Sequence, residues 1–169
     1  MDLRAARMTA QALTRPLPTS RDVVRHLVGV QAQSPWVAPY VIRPRLAAGA
    51  ALAASDVVRT WAMRGTLHMV AAEDAGWLVA LLGPVFAART RPRRLQLGLA
   101  EDLLGRAVDA VVAALPATRD ELLAVMADVG VPEGQARAHV LSYVCMSGSA
   151  CLDGPDGELF TAPPATVSP

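Results

Sequence analysis

Three observations predict a mainly α-helical fold with short β-hairpins. Hydrophobic residues make up 53% of the 169, yet aromatics are limited to three tryptophans, two tyrosines and two phenylalanines. The apolar mass is therefore Ala, Val and Leu, which favours closely packed helices over an aromatic-rich sandwich. Apolar residues recur at helical spacing through most of the chain and alternate only over brief stretches. Residues 118–161 then run helix, tight turn, helix, hairpin, the order of a winged helix-turn-helix. Two such units in tandem are expected: residues 1–88, a basic linker over 89–100, a second unit over 101–162, and a disordered tail over 163–169.

The elements follow from local signals. Thr19 and Ser20 offer capping oxygens, Asp22 suits a positive first turn, and Val23, Val24, Leu27 and Val28 share a face. They predict a helix over 19–33 that Ser34-Pro35 ends. After an alanine-rich segment, Ser55-Asp56 opens a second predicted helix through Val57, Val58, Trp61 and Ala62. Arg64-Gly65 breaks the period, and TLHMVA alternates like a short strand. Glu73 to Leu82 is helical again, with Gly83-Pro84 as its stop, and ARTRPRRL with Pro92 reads as a boundary.

Beyond that boundary, Leu103, Leu104, Ala107, Val108, Val111 and Val112 make Glu101 to Leu115 amphipathic. Thr118 and Glu121 match a capping box ahead of Leu122, Leu123 and Met126. Gly130-Val-Pro forms a turn, Glu133 to Ser147 a further helix, and Gly148 its end. Ala150 to Leu152 and Glu158 to Thr161 flank Asp153 to Gly157 as a hairpin. The second helix of the turn would face a major groove, but Arg137 is its one permanent cation, beside Gln135 and His139. Few phosphate contacts can come from it, and a role as scaffold stays open.

Composition excludes several classes. The longest apolar runs, such as LAAGAALAA, fall well short of the roughly 20 residues that span a bilayer. No apolar segment with a small-residue cleavage site follows Arg4 and Arg7, so a cytoplasmic protein without membrane association is expected. Cys145 and Cys151 stand six apart without a histidine pair, which points to buried thiols and no metal site. Net charge is +1, but all sixteen basic residues are arginine. Arg89, Arg91, Arg93 and Arg94 cluster, either to hold phosphates or as a solvated linker.

VGVQAQSP (Val28 to Pro35) and VRTWAMRGTLHMVAAEDAGWLVALLGP (Val58 to Pro84), with the C-terminal winged-helix pattern, resemble the bacterial winged-helix family that contains the AlkZ and YcaQ type DNA glycosylases. The resemblance runs from about Leu3 to Thr161. It implies hydrolysis of the N-glycosidic bond of alkylated purines in double-stranded, alkylated or crosslinked DNA, without a cofactor. Such proteins are roughly twice as long and add further winged helices and a β-barrel, so a truncated form is expected. A non-catalytic DNA-binding module or transcriptional regulator is the alternative.

In the resembled glycosylases a QxQ motif positions water, and Gln31 and Gln33 match it. On a continuous helix two such residues point about 200° apart; in an extended segment they share a face. Pro35 disfavours helix at Ser34, which would let both amides converge. An amide does not titrate, but it can orient water against a cationic leaving group. A purely structural role at a helix end is the competing reading. Arg59, Arg64, His68, Arg91, Arg93, Arg94 and Arg137 are the DNA-binding candidates. Arg59 and Arg64 could instead pair with Glu73 or Asp74, and His68 could be a hydrogen-bonded core group.

Overall fold

The computed structural model describes residues 2–34, 37–52, 56–154 and 157–164. Helix α1 (Leu3–Ala10) is capped by Asp2, whose carboxylate accepts from the Arg4 and Ala5 amides. Helix α2 (Ser20–His26) starts as predicted, with Thr19 accepting from the Asp22 amide. It ends at His26 rather than Gln33. Val28 takes a left-handed φ of 66°, turning the chain out of the helix. Gly29 follows, where a Cβ would stand 2.6 Å from the end of the Met63 side chain. Strand β1 (Val30–Gln31) comes next. Pro35, the predicted helix stop, lies outside the described residues.

After α3 (Val37–Ile42) and a 3-10 turn at Arg43–Arg45, the helix expected from Ser55 to Ala62 is replaced by strand β2 (Val57–Trp61); Ser55 itself is outside the described residues. Val57, Val58 and Thr60 are β-branched, and every residue from Val57 to Thr60 is buried. A strand covered on both faces loses its alternation, so period alone cannot separate it from a helix. The strand expected over TLHMVA is present as β3 (Leu67–Ala71). Between them lies the turn Met63–Gly65, in which Arg64 and Gly65 have φ of 59° and 68°.

Helix α4 (Ala72–Gln96) does not stop at Gly83-Pro84. It passes through both Pro84 and Pro92, so the basic segment is helical to Gln96 rather than an irregular linker. Proline inside a helix costs about 3 kcal/mol; burial of the apolar side chains of Ala75, Leu78 and Val79 acts against that cost. Gly83 is a packing notch, since a Cβ there would lie 2.0 Å from the Met146 carbonyl oxygen. The later elements are α5 (Glu101–Ala113), β4 (Ala117–Thr118), α6 (Arg119–Asp128), α7 (Gln135–Met146), β5 (Cys151–Asp153) and β6 (Leu159–Thr161), the predicted order with the unpredicted short strand β4 added. Both halves of the Thr118–Glu121 capping box are formed. Pro155 and Asp156 of the hairpin turn, and 165–169 of the expected tail, are outside the described residues.

One antiparallel sheet in the order β1-β3-β2-β5-β6-β4 ties the chain together. Val23, Val24, Ile42 and Met69 fill a core beneath α2 and α3. Val58, Val70, Ala75, Leu78 and Cys151 form a second beneath α4. A larger third core joins α5, α6 and α7 through Leu104, Val111, Leu122, Met126, Leu141 and Phe160. The contact between β2 and β5, with Arg59 opposite Leu152, carries the sheet from the N-terminal to the C-terminal elements. Among the described residues no helix is long and apolar enough to cross a membrane.

Candidate active site

Strand β1 forms the sheet edge, with Val30 opposite Met69 and Gln31 opposite His68. The Ala32 amide donates to the Leu67 carbonyl at 2.9 Å and carries the extended path one residue further. Val30 and Ala32 therefore turn into the core, 4% and 0% exposed, while Gln31 and Gln33 turn outward. This is the period of two that the early end of α2 permits. The two amides meet: Gln31 Nε2 donates to Gln33 Oε1 at 2.8 Å.

A third side chain sets their orientation. Arg64 Nη2 donates to Gln31 Oε1 at 3.2 Å. A guanidinium only donates, so the Gln31 oxygen faces Arg64 and its nitrogen faces Gln33. Each amide oxygen keeps one further lone pair as an acceptor. Val28 and Arg64, both in the left-handed region without being glycine, set the approach of the glutamine segment and of its arginine. Non-glycine residues in that region cost on the order of 1–3 kcal/mol each and concentrate at functional sites. Beside the pair opens a groove of about 670 Å³, with Leu27, Val30, Val37 and Val41 as its apolar wall. Arg45 at its end is committed to the Val41 and Gln11 carbonyls at 2.6 and 2.9 Å.

His68 is the cross-strand partner of Gln31 on β3 and is 4% exposed. Its Nδ1 sits 2.8 Å from the Thr66 carbonyl. Burial pushes its pKa below the ordinary histidine value, the Thr66 carbonyl opposes this, and the Arg64 charge adds to the depression. A neutral ring donating from Nδ1 fits these contacts, the geometry of a hydrogen-bonded core histidine. Among the described residues, no three His, Cys, Asp or Glu side chains gather as a metal-binding group. Cys145 and Cys151 are buried free thiols.

The sequence profile of the "DNA glycosylase AlkZ-like" family matches residues 24–168. The chain belongs to the AlkZ-like DNA glycosylase family. An interstrand DNA cross-link repair glycosylase from Streptomyces sahachiroi is 36% identical over 135 residues, covering 70% of this chain and 35% of that protein. The solved structure of Streptomyces sahachiroi DNA glycosylase AlkZ superimposes with a TM-score of 0.69 at 27% identity, over 93% of this chain and 47% of the other. The chain thus spans less than half the length of these AlkZ-like relatives.

The other candidate residues of this AlkZ-like chain divide by exposure. Arg59 is 4% exposed, and its Nη2 donates to the Gly157 carbonyl, pinning β2 to the β5-β6 hairpin. Glu73 pairs with Arg21 and Arg25, and Asp74 accepts from the Trp77 indole at 2.8 Å. Arg94 is 4% exposed, donates to the Ala87 carbonyl and Thr90 hydroxyl at 2.9 and 2.7 Å, and lies 4.6 Å over the Tyr143 ring. It fastens α4 to α7. Arg137 is turned toward the Val131 carbonyl at 3.3 Å, with 15% of its side chain exposed. Arg91 and Arg93 are exposed; Arg91 meets Glu101 at 2.7 Å, and Arg93 meets Gln135 of α7 at 2.6 Å.

A separate trough lies on the other side of Gln33. Trp61, Arg119 and Asp120 line this trough, which Gln33 also borders. The position of Trp61 was hidden in VVRTW: read as a strand, it sends Trp61 to the same sheet face as Arg59 and Leu67.

Proposed function

We propose that this chain carries the water-positioning side of a monofunctional glycosylase acting on alkylated purines in double-stranded DNA. The observation that carries the proposal is the Gln31–Gln33 amide contact at 2.8 Å, oriented by Arg64 on an exposed strand edge. An N7-alkylated guanine is already cationic and leaves the sugar as a neutral base. Water oxygen then bonds to C1′ as the C1′–N9 bond breaks, and the released proton passes to solvent. No strong base is required, only a fixed water and oriented dipoles beside the cation-like sugar carbon. Gln31 and Gln33 supply both. Neutral His68, opposite Gln31 on β3, is held by the Thr66 carbonyl.

The second half of the proposal concerns the scaffold. In this reading α5, β4, α6, α7, β5 and β6 form a winged helix, and the exposed Arg91 and Arg93 meet phosphate beside the start of α7. Arg59, Arg94 and Arg137 act as internal ties. The chain resides in the cytoplasm. Its test uses residues 1–169 alone and the same residues extended with the remaining part of the Streptomyces sahachiroi relative. An oligonucleotide holding one N7-alkylated guanine reports base loss as heat- or alkali-revealed strand cleavage. The extended protein should release the base, and the chain alone should bind DNA weakly and release little. Absence of release by the extended protein, with DNA bound, would overturn the glycosylase reading in favour of a binding module.

A further inference from the structure

Helix α4 packs against α7, β2 and β3 through a face that buries Ala75, Leu78, Val79, Gly83 and Arg94. Its opposite face is apolar and uncovered. Trp77 is 49% and Leu81 63% exposed, and Ala80, Pro84, Val85 and Ala88 are exposed around them. At 3.6 residues per turn these side chains form one stripe along the helix. Scattered exposed apolar residues are ordinary, but a contiguous stripe marks a surface that another apolar surface covers. No charged residue falls between Trp77 and Ala88, so a phosphodiester gains nothing there. Charge sits at the two ends instead. Asp74 lies in the first turn with Arg25 4.0 Å away, while Glu73 beside it is held by Arg21 and Arg25. Arg89 rests over the Phe86 ring and meets no carboxylate among the described residues. Asp74 and Arg89 fall on the same flank of the stripe. A pocket of about 500 Å³ opens beside it between α4 and α7, where Ala80, Pro84, Ala87 and Tyr143 are part of its lining.

We propose that this face of α4 pairs with the same face of a second copy of the chain, the two helices running antiparallel about a twofold axis beside Leu81. A twofold contact is made by one patch meeting itself, so the patch must be self-complementary end to end. This one is. Antiparallel pairing brings the same flank of both helices together, and Asp74 of each copy then faces Arg89 of the other. Parallel pairing would set Arg89 against Arg89. The antiparallel register also brings Trp77 of each copy beside Pro84 and Ala87 of the other, at the pocket between α4 and α7. The short side chains of Ala80, Pro84 and Ala88 let the two helices approach closely. A contact confined to one helix is smaller than an obligate dimer interface, so association in the micromolar range is expected. Gln31 and Gln33 take no part, and this pairing stands apart from the glycosylase reading.

Sedimentation velocity of the 169-residue chain, from low to high micromolar concentration, should show a monomer passing into a dimer. Leu81→Glu sets two like charges at the axis and should leave a monomer throughout, with an unchanged circular dichroism spectrum because Leu81 is exposed. Arg89→Asp puts a carboxylate against Asp74 and should raise the dimer dissociation constant about tenfold, since the symmetry removes two surface pairs at once. Adding Asp74→Arg to Arg89→Asp should restore most of the lost association. A chain that stays monomeric at every concentration would overturn the proposal, and binding of that monomer to anionic vesicles would assign the face to a lipid surface instead. A dimer that persists in Leu81→Glu, or a double variant that associates no better than Arg89→Asp alone, would overturn the antiparallel α4 contact.

Discussion

Replacing Arg64 separates the orientation of the amides from the stability of the fold. Its guanidinium meets the exposed Gln31 Oε1 at 3.2 Å, so the bond is worth about 1 kcal/mol, below the range for buried charge-assisted bonds. The residue sits at φ 59°, which costs roughly 1 kcal/mol relative to glycine. Arg64→Ala loses the bond and keeps the strain; Arg64→Gly loses the bond and relieves the strain. Urea unfolding of the 169-residue chain should therefore show Arg64→Ala destabilised by about 1 kcal/mol and Arg64→Gly near the unmodified protein. In the extended protein both should slow single-turnover base release by about fivefold, the rate equivalent of 1 kcal/mol. The Gln31 and Gln33 side-chain amide resonances should shift together in both. If both variants release base at the unmodified rate, Arg64 does not orient the pair. If only Arg64→Ala slows it, the backbone and not the guanidinium matters.

Gly83→Ala sets helix propensity, worth about 1 kcal/mol in favour of alanine, against a Cβ only 2.0 Å from the Met146 carbonyl. The contact should win, with a loss of about 2 kcal/mol or more on urea unfolding, and a stabilised variant would contradict the α4–α7 packing. Arg91→Ala with Arg93→Ala should lower the salt dependence of DNA binding by about 1.8 in log–log slope, two phosphate contacts' worth, whereas Arg94→Ala should lower stability. An unchanged slope would remove Arg91 and Arg93 from the DNA surface. Burial holds the pKa of His68 and of His139 below the ordinary value. The unfolded chain then binds more protons than the folded one, so stability should fall as pH drops through about 6.5. Urea unfolding at pH 7.5 and 5.5 should show a smaller drop in the double variant His68→Asn, His139→Asn; equal drops would refute the assignment.

Local chemistry made the C-terminal elements legible. The Thr118–Glu121 box and the Gly130 turn announce their geometry through residues whose conformational roles are specific, and the pairing of β5 with β6 follows the hairpin signal between them. Burial defeated the reading elsewhere. VVRTW has no polar face because helices and neighbouring strands cover it on both sides, and α4 survives two prolines because α7 and the sheet hold it. At the site, the convergence of Gln31 and Gln33 was foreseeable from their spacing once an extended segment was allowed. The residue that achieves this is Val28 at φ 66°, a β-branched residue where the left-handed region is least expected. Arg64 was expected to face DNA or an acidic partner, and its bond to Gln31 depends on a turn that no spacing rule supplies. The inward ties made by Arg94 and Arg137 were equally hidden, since charge in a sequence does not record burial.

The most direct measurement compares Gln31→Ala, Gln33→Ala and the double variant in the extended protein, by single-turnover release of one N7-alkylated guanine at saturating enzyme, with DNA affinity measured in parallel. Each single variant should keep its affinity within about twofold while release slows by roughly 10² or more, the scale for losing one preorganised polar group from a transition state. The double variant should be little slower than either, because the two amides hold one water as a unit. Unchanged release by the double variant would contradict water positioning by the glutamine pair, and loss of affinity with an intact saturated rate would make both residues DNA contacts instead.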